Sequence, residues 1–513
     1  MKWKELRHNG VAFPPAYEPK GLHINVKGET VRLSPDSEEM TYAWGKKRTT
    51  PYVQDPVFQA NFLSDFLKLL PDKFADAKYS EINFTPVYEY LSKEEALKSD
   101  KELKKRVAAQ RKELRLQLKE KYGYAIIDGT ETEFANYMVE PPSIFMGRGS
   151  HPMRGRWKPR IFPEDVILNL SEDAPMPPGN WKEIVHDHES IWLAYWVDKL
   201  NQVRKYVWPS DISDLRQERD KVKYDNAIKL RRKLSDVREF IGKNLHSPDV
   251  KVRKLATVSY LIDNLAMRVG DEKEEDEADT VGASTLRVEH VRFLSGGVEF
   301  DFLGKDSVRW QKILKLDAAD SPIRRNLQEF VSGKKPEDLV FDGITSAHVN
   351  QFLGKAARGL TAKVFRTHHA TETVQTYLGR HNGFKRDDSG FVKLYHARVA
   401  NLEAAIRCNH KRTPPKTWEG SLDKKQQRLA ELKKRPTKTD KQVQRLAERM
   451  KKLKLDIDLQ KRTRDYNLNT SLRNYIDPRV YRNWAIKAEY DWTSIYPKTL
   501  QRKFLWATKS RAQ

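Results

Sequence analysis

The stretch STLRVEHVRFLSGGVEFDFLGKDSVRWQKILKL, residues 284–316, carries the clearest β-sheet pattern in this sequence. Val298, Phe300 and Phe302 alternate with two acidic residues, and this period of two predicts a strand with one buried face. The runs at 284–293 and 307–316 predict strands on either side of it. The tight turn LGKD places Lys305 at the exposed tip of a hairpin. We therefore predict a small β-sheet here.

Helical patterns flank this sheet on both sides. Residues 213–270 have a helical period, and Gly270 is expected to end the last helix. The apolar face of that helix holds Leu255, Val258, Leu261, Ile262 and Leu265. Helices resume from 324 to 410, with the loop TAKVFRTHH between them. Residues 206–410 are therefore predicted to form a mainly α-helical lobe that holds a small sheet.

The first 205 residues predict a lobe of mixed strands, loops and helices. Residues 92–122 are a heavily charged helical segment within it. Ser92-Lys93-Glu94-Glu95 matches a capping box at its start, and Gly123 is a plausible stop. Residues 140–165 are rich in Gly, Pro and Arg, a composition that suits either a close approach to phosphate or an ordinary surface loop.

Residues 411–465 are a basic island with 19 Lys/Arg and 8 Asp/Glu, which is +11 of the chain's net +24. Two apolar seams run through it, separated by Pro436, and steps of three and four residues are typical of a coiled coil. The seams consist of Leu422, Leu429 and Leu432, and of Val443, Leu446, Met450, Leu453 and Ile457. We predict an antiparallel coiled-coil linker, followed by a C-terminal domain at 466–513. The whole chain is predicted to be α+β and multidomain.

Composition narrows the class of protein. A net charge of +24 over 513 residues favours a polyanionic partner, most often nucleic acid, over an anionic membrane face or a merely solvated surface. No apolar run reaches the roughly eighteen residues of a membrane span, and the start MKWKELRHNG lacks the apolar segment of a secretory signal. A single cysteine, Cys408, allows no internal disulfide and suits a reducing intracellular compartment.

Motifs for nucleotide or metal chemistry are missing from the sequence. There is no GxxxxGK[ST], no GxGxxG and no HExxH. His186 and His188 could contact a metal, but surface histidines are the commoner reading, and His368 and His369 are interpreted as structural. We therefore predict no cofactor and no metal.

Eight separated segments, in order, resemble the eukaryotic-type DNA topoisomerase IB family over nearly the whole chain. They are WKELRHNGVAFPPAYEP, EPPSIFMGRGSHP, PRIFPED, EKEEDEADTVGASTLRVEH, EFDFLGKDS, LTAKVFRT, CNHKRTPPKT and NYIDPRV. The resemblance implies a DNA-clamping cap lobe at 1–205, a catalytic core at 206–410, the linker at 411–465, and a C-terminal domain that carries the nucleophile.

The resemblance also implies a catalytic set. Its members are Arg268, Lys305, Arg366, His410 and Tyr475. The tyrosine would attack a backbone phosphorus to give a 3′-phosphotyrosine, and reversal would reseal the strand without ATP. Because a free phenol has a pKa of about 10, stabilisation of phosphate charge by the two arginines and the histidine would matter most. The lysine would protonate the leaving 5′-oxygen.

DNA contacts follow from the same resemblance. They are expected at Arg148, Lys305, Asp306 and Asn474. Family members close around DNA through a lysine that follows HP and meets an acidic residue, here Glu277. In this chain Met153 follows HP and Arg154 comes next, so the lip contact departs from the family pattern.

The function implied is relaxation of positive and negative supercoils by a monomer on double-stranded DNA, with no membrane involved. A site-specific tyrosine recombinase is the first alternative, but recombinases usually place histidine three residues before the second arginine, where this chain has Lys363. A non-catalytic basic scaffold for DNA or RNA is the second. The expected location is intracellular and DNA-associated, in the nucleoid of an archaeon or the nucleus of a eukaryote. The absence of a long charged N-terminal tail and the low cysteine content would suit an archaeal member.

Overall fold

The computed structural model describes residues 2–270, 281–316, 321–380 and 387–509, apart from the side chains of Asp306 and Lys509. The described residues are a mixture of helix and sheet, so the α+β, multidomain prediction is confirmed at this level. They form two compact units, the first ending at Arg216 and the second beginning at Gln217. The predicted boundary at 205/206 falls inside the strand Arg204–Val207, whose pairing with a neighbouring strand keeps both in the first unit.

The first unit contains short strands and four α-helices within the residues described. Its elements are β1 Leu6–His8, β2 His23–Val26, β3 Glu29–Arg32, α1 Pro35–Gly45, α2 Pro56–Phe66, β4 Ile82–Asn83, α3 Thr85–Leu97, α4 Lys101–Tyr122, β5 Tyr124–Ile127, β6 Thr130–Glu133, β7 Ser143–Ile144, β8 Trp157–Lys158, β9 Val166–Asn169, β10 Glu183–Val185, β11 Ala194–Val197 and β12 Arg204–Val207. The strands form sheets in the orders β1-β5-β6, β3-β2-β4, β10-β9-β11-β12 and β7-β8. Only β9 and β10 pair in parallel among them.

Aromatic side chains hold this unit together around two cores. In one, Trp44 stacks on Phe62 with ring centroids 4.1 Å apart, and three phenylalanines of α2 are fully buried because they recur every four residues. In the other, β1, β5, β9 and β11 pack their apolar faces together around Trp3 and Trp196.

The predicted capping box at Ser92 is wrong. The helix already begins at Thr85, with Pro86 in its first turn, and Ser92 Oγ instead donates a hydrogen bond to the Tyr88 carbonyl one turn earlier. The charged segment is two helices, and α4 starts after Asp100, whose carboxylate accepts from the backbone N–H of Leu103. Its predicted end before Gly123 is confirmed.

The second unit is mainly helical, and the unit boundary at Arg216/Gln217 falls within the first turn of its first helix. Its elements are α5 Asp214–Asn244, α6 Val250–Leu265, β13 Val291–Leu294, β14 Gly297–Gly304, β15 Val308–Lys315, α7 Pro322–Val331, α8 Ser346–Ala356, α9 Ala362–Arg380, α10 Gly390–Arg407, α11 Trp418–Lys434, α12 Asp440–Arg462, α13 Leu468–Asn474, α14 Pro478–Lys487, α15 Lys498–Lys503 and α16 Leu505–Lys509. None of the helices in the described residues combines the length and apolar character of a membrane span.

The three-stranded sheet β13-β14-β15 confirms the predicted hairpin. Val298, Phe300 and Phe302 are buried, and Lys305 is exposed in the single turn of 3₁₀ helix between β14 and β15. The first predicted strand is shorter than expected, because the chain becomes extended in a sheet only from Val291. Glu299 is buried as well, where it accepts hydrogen bonds from Arg292 and Gln311.

The predicted apolar face of α6 lies in the core of this unit, with all five of its residues buried. The helix ends at Leu265, earlier than Gly270, because Ala266 adopts a left-handed conformation with φ of 53°. The polypeptide that follows is therefore irregular and free to present side chains.

Helices α11 and α12 pack against each other and are joined by residues 435–439. The seam residues Leu422 and Ile457 are buried, whereas Val443, towards the connecting end, is exposed. At its other end α12 is tied to α10 by hydrogen bonds from Tyr395 to Asp458 and from Arg462 to Glu403.

Candidate active site

A cleft in the second unit is lined by four of the residues that the sequence singles out: Arg268, Lys305, Arg366 and His410. The fifth, Tyr475, joins them through its hydroxyl, which accepts a hydrogen bond of 3.1 Å from Nη1 of Arg268. The five come from positions 268 to 475 of the chain, so the fold brings distant segments to one place.

Arg268 is presented by the irregular segment after α6. Ala266 has the left-handed backbone conformation, which is strained for a residue other than glycine. Arg366 donates a hydrogen bond to its carbonyl and holds it there. Further along, backbone hydrogen bonds join Ala283 N–H to the Arg268 carbonyl at 2.8 Å and Ser284 N–H to the Val269 carbonyl at 2.6 Å. These bonds fix the backbone at the carbonyl of Arg268 and at the residue that follows it.

The chain crosses itself closely just beyond Arg268. A Cβ atom on Gly282 would collide with the backbone of Gly270, and one on Gly270 would lie 2.9 Å from the Cα of Gly282. Gly270 also has a φ of +92°, which side-chain-bearing residues rarely adopt. Only glycine fits at both positions of this crossing.

Arg366 lies on α9 and is 4% exposed. Its two terminal nitrogens donate to the carbonyl oxygens of Ala266 and Cys408, the latter at 2.9 Å, and Nη2 lies 3.2 Å from Nε2 of His410. Since those carbonyls follow the last turns of α6 and α10, the guanidinium ties together the two helix ends that precede Arg268 and His410.

Lys312 makes a second bridge of the same kind, which sequence reasoning missed. Its ammonium donates to the carbonyls of Leu265 at 3.2 Å and Arg407 at 2.8 Å. Cations are favoured at helix C-termini because the carbonyl ends carry partial negative charge. Burial, reinforced by the charge of Arg407, lowers the pKa of Lys312 to about 8. A signal was available: the period of two places Lys312 on the buried face of β15, between Trp310 and Leu314.

His410 is positioned by the way α10 ends. Asn409 takes the left-handed conformation, with φ of 53°, a role in which asparagine is the usual substitute for glycine. Its N–H bonds to the Ile406 carbonyl at 3.1 Å and that of His410 to the Ala405 carbonyl at 2.8 Å, which is the hydrogen-bond pair of a Schellman motif. The cysteine before them, Cys408, is buried.

Tyr475 directly follows α13, where its backbone is held from two sides. Thr371 of α9 donates to the Tyr475 carbonyl at 3.1 Å and accepts from the Asp477 N–H at 3.1 Å. Ser471, one turn earlier, donates to the side chain of Asn401 on α10 at 2.7 Å. The ring is 7% exposed and stacks on His410 with centroids 5.1 Å apart.

Two positive charges face the Tyr475 phenol. Arg268 donates to its oxygen, and the Arg366 guanidinium carbon lies 5.1 Å from the ring centroid. Burial alone would raise the pKa of this phenol, but the charges of Arg366 and Arg268 outweigh burial, so the pKa lies below its ordinary value.

Burial, with the charges of Arg366 and Arg268, lowers the pKa of His410 to about 3. The imidazole is therefore neutral at physiological pH and carries one N–H. Since Arg366 can only donate to Nε2, that N–H lies on Nδ1, which has no hydrogen-bond partner within the described residues. The arrangement offers an activated hydroxyl beside two fixed guanidinium forks and a neutral donor, which is a site for an anionic, phosphate-like group.

The remaining predicted residues are more scattered. Asn474 is exposed at the end of α13, directly before Tyr475. The side chain of Asp306, at the hairpin tip, and Glu277 lie outside the described residues. Arg148 is exposed on a loop of the first unit. Arg154 forms an ion pair with Asp55, with Nε and Oδ2 2.5 Å apart, so its charge is already engaged within that unit.

Outside the cleft, one group of side chains in the described residues has the geometry of a metal site. It consists of His368, His369 and Glu372, all on α9. Burial, followed by the charge of His369, lowers the pKa of His368 to about 4, so that imidazole is neutral near pH 7. His186 and His188 instead bond to the carbonyls of Leu170 and Trp3.

Comparison with known proteins places similarity along the whole chain. A family model of the DNA-binding fragment of eukaryotic DNA topoisomerase I matches residues 1–209, one of its catalytic core matches 212–463, and one of a C-terminal topoisomerase domain matches 447–513. DNA topoisomerase 1 of Homo sapiens is 36% identical over 99% of this chain and 71% of its own length. DNA topoisomerase 1 alpha and beta of Arabidopsis thaliana are 35% and 34% identical, and this chain spans 58% of their length.

Proposed function

Because the chain belongs to the eukaryotic DNA topoisomerase I family, we propose that it is a type IB DNA topoisomerase. It nicks one strand of double-stranded DNA, lets the broken end rotate, and reseals it without ATP or a required metal, so that positive and negative supercoils relax. Acting on DNA, it works in the cell compartment that holds DNA. It acts as a monomer, since one chain supplies all five proposed catalytic residues.

The observation that carries the proposal is the contact between the Tyr475 hydroxyl and Arg268, inside a cleft that also holds Arg366 and His410. In the proposed reaction a bond forms between the phenolic oxygen and phosphorus, and the bond from phosphorus to the 5′-oxygen breaks. The energy of the broken phosphodiester bond is conserved in the 3′-phosphotyrosine bond that links the protein to the DNA. Attack by the freed 5′-hydroxyl restores the strand.

Two arginines and a histidine stabilise the negative charge that develops in the proposed transition state. As the phosphorus gains a fifth oxygen, charge builds on the non-bridging oxygens, and Arg268, Arg366 and neutral His410 donate to them. The same guanidinium groups already favour the phenolate form of Tyr475 by lowering its pKa. Because Arg366 is held by two backbone carbonyls, it needs little rearrangement when DNA binds.

Lys305 supplies the proton for the leaving oxygen. Its position at the exposed tip of the β14–β15 hairpin gives the ammonium reach into the cleft that it lines. The hydrogen bond from Asn409 Nδ2 to the Arg309 carbonyl, at 3.2 Å, ties this hairpin to the segment that carries His410. The role proposed for the lysine is general acid during cleavage and general base during religation.

The alternatives fit less well. Tyrosine recombinases share this chemistry, but here the histidine near Arg366 comes from residue 410, and the family matches cover a DNA topoisomerase I core and its DNA-binding fragment. A non-catalytic scaffold would have no need of a buried tyrosine hydroxyl aimed at an arginine.

The proposed domain roles follow the sequence prediction. The first unit is the DNA-clamping cap, and the second is the catalytic core with the C-terminal residues that hold the nucleophile. The α11–α12 pair is an antiparallel coiled-coil linker whose basic faces lie near DNA and slow its rotation. Contacts by Arg148 and Lys305 to DNA phosphates would make binding salt-dependent and only weakly sequence-specific. Asn474 and Asp306 are the other two proposed DNA contacts.

The first test is relaxation of a supercoiled plasmid in buffer that contains EDTA and no ATP. We expect full relaxation of both negatively and positively supercoiled DNA, because no step of the proposed chemistry needs a metal or a nucleotide. Gel electrophoresis across a range of salt concentrations measures it. If no salt concentration supports relaxation, the proposed function is wrong.

A second prediction concerns the α11–α12 pair. Replacing residues 424–453 by a short Gly/Ser connection removes 12 Lys/Arg and 3 Asp/Glu, a net +9, but keeps the tie between Asp458 and Tyr395. We expect strand cleavage to stay within about twofold of wild type and the salt dependence of binding to become shallower, because fewer phosphate contacts form. A suicide substrate measures cleavage, and single-molecule rotation measures the change in rate.

A full-length variant with Lys433, Lys434 and Arg435 changed to Gln separates the effect of charge from that of length. Complete loss of cleavage in the shortened protein would show that the pair belongs to the catalytic machinery, contrary to the proposed division.

A further inference from the structure

The group His368, His369 and Glu372 lies on α9 just beyond Arg366, in the same turn as Thr371, which holds the backbone of Tyr475. The proposed reaction does not use this group. From its geometry we propose that these three side chains bind a transition-metal dication of the zinc class. The proposal goes beyond DNA relaxation, and the metal would take no part in strand cleavage.

The spacing of the three residues suits a single ion. Positions i and i+4 of a helix, here His368 and Glu372, lie on one face, and His369 and Glu372 are an i, i+3 pair. The ligating atoms of all three lie within 4.8 Å of one another. Nε2 of His368 is 3.4 Å from Oε2 of Glu372. Two ligands of a tetrahedral zinc ion, bound at about 2.0–2.1 Å, lie about 3.3 Å apart, so this pair needs little adjustment.

Burial of the imidazoles points to a missing partner. His368 is 2% exposed, and within the described residues its Nε2 makes no hydrogen bond. A buried polar atom without a partner is costly and calls for an explanation, of which an unseen ion is one. A neutral imidazole and a carboxylate are, moreover, ordinary ligands of zinc.

A second carboxylate lies beside the other histidine. Oδ1 of Asp263 lies 3.0 Å from Nε2 of His369, and Oδ2 of Asp263 accepts a 2.7 Å hydrogen bond from Arg238. A carboxylate next to the imidazole of a ligating histidine is the usual arrangement around protein-bound zinc. Asp263 is 1% exposed, so this support comes from the interior of the second unit.

The ion would have a route of entry. His368 and Glu372 line a cavity of about 430 Å³, together with Thr371, Asp477 and Arg479, and none of its lining residues lines the catalytic cleft. The Glu372 side chain is 47% exposed, so the outer ligand meets solvent. Water from the cavity can complete the coordination. Because Thr371 holds the backbone of Tyr475, an ion here would stiffen the turn behind the nucleophile.

The test uses the whole chain, dialysed against EDTA, then freed of chelator and titrated with ZnCl₂ against a fluorescent zinc-binding dye. We expect wild type to bind one equivalent of Zn²⁺. His368→Gln and Glu372→Gln should weaken that binding by at least about a hundredfold, since loss of an outer partner alone typically costs about tenfold to a hundredfold and these variants lose a direct ligand. His246→Gln is the matched control, because it removes an exposed histidine of the same unit from outside the group, and it should bind as wild type does.

Thermal unfolding supplies the second readout. Zn²⁺ should raise the melting temperature of wild type and of His246→Gln but not that of Glu372→Gln, which changes a half-exposed side chain and should fold normally. Equal zinc binding by all the proteins, or no binding by wild type, would overturn the proposal. Neither measurement uses DNA, so their outcome is independent of whether the chain relaxes supercoils.

Discussion

Tyr475→Phe is expected to abolish plasmid relaxation and the covalent protein–DNA adduct while leaving DNA binding within about twofold of wild type. The substitution removes only the hydroxyl that would attack phosphorus, and the described lining of the cleft holds no second phenol. The ring keeps its stack on His410, so the local packing is preserved. Adduct is measured by trapping with detergent, and binding by fluorescence anisotropy on a short duplex.

A matched control is Tyr481→Phe. Tyr481 is fully buried in the same unit and donates to the Ala397 carbonyl at 3.0 Å, away from the cleft. Its loss should cost about 1 kcal/mol of stability and leave relaxation intact. An adduct that survives in Tyr475→Phe would assign the nucleophile to another residue.

Arg366→Gln is expected to slow strand cleavage by about 10²–10³ at equal DNA occupancy. The change removes a donor aimed at the transition state, and a loss of this size is typical for one such group. It also removes one of the two charges that lower the pKa of Tyr475. Single-turnover cleavage of a suicide substrate measures the rate directly, without the rotation step.

Stability must be measured beside the rate, because Arg366 also holds the carbonyls of Ala266 and Cys408. Leaving buried acceptors unpaired should cost about 1–3 kcal/mol in the free energy of unfolding. Arg366→Lys retains the charge but not the fork, so it should recover part of the rate and little of the stability. Arg325→Gln, an exposed position on α7, controls for the loss of one positive charge. If rate and folded fraction fell in parallel in Arg366→Gln, the arginine would be structural only.

Periodicity was enough to predict the parts of the second unit whose burial follows a simple repeat. The β14–β15 hairpin, with Lys305 at its tip, and the apolar face of α6 both follow from spacings of two and of three to four residues. Local chemistry was less reliable at helix ends. Ser92 has the sequence of a cap, but Thr85 and Pro86 start the helix earlier.

The backbone carbonyls that a side chain contacts could not be predicted, since every residue carries a carbonyl. The period of two marks Lys312 as facing inward, but it does not say which carbonyls the ammonium meets. The bridges from Arg366 and Lys312 to the ends of α6 and α10 are of this kind. That residues 268, 366, 410 and 475 lie close together was predicted from the family resemblance alone, because no local sequence pattern relates residues so far apart.

The glycine crossing at Gly270 and Gly282 has a consequence for protein engineering. A side chain at either glycine would push the two crossing backbones apart, and the hydrogen bonds at the carbonyls of Arg268 and Val269 lie directly beside the crossing. Gly270→Ala or Gly282→Ala should therefore move Arg268 relative to Tyr475 without changing any residue of the cleft. Any redesign of this protein must keep both positions free of even one additional carbon atom.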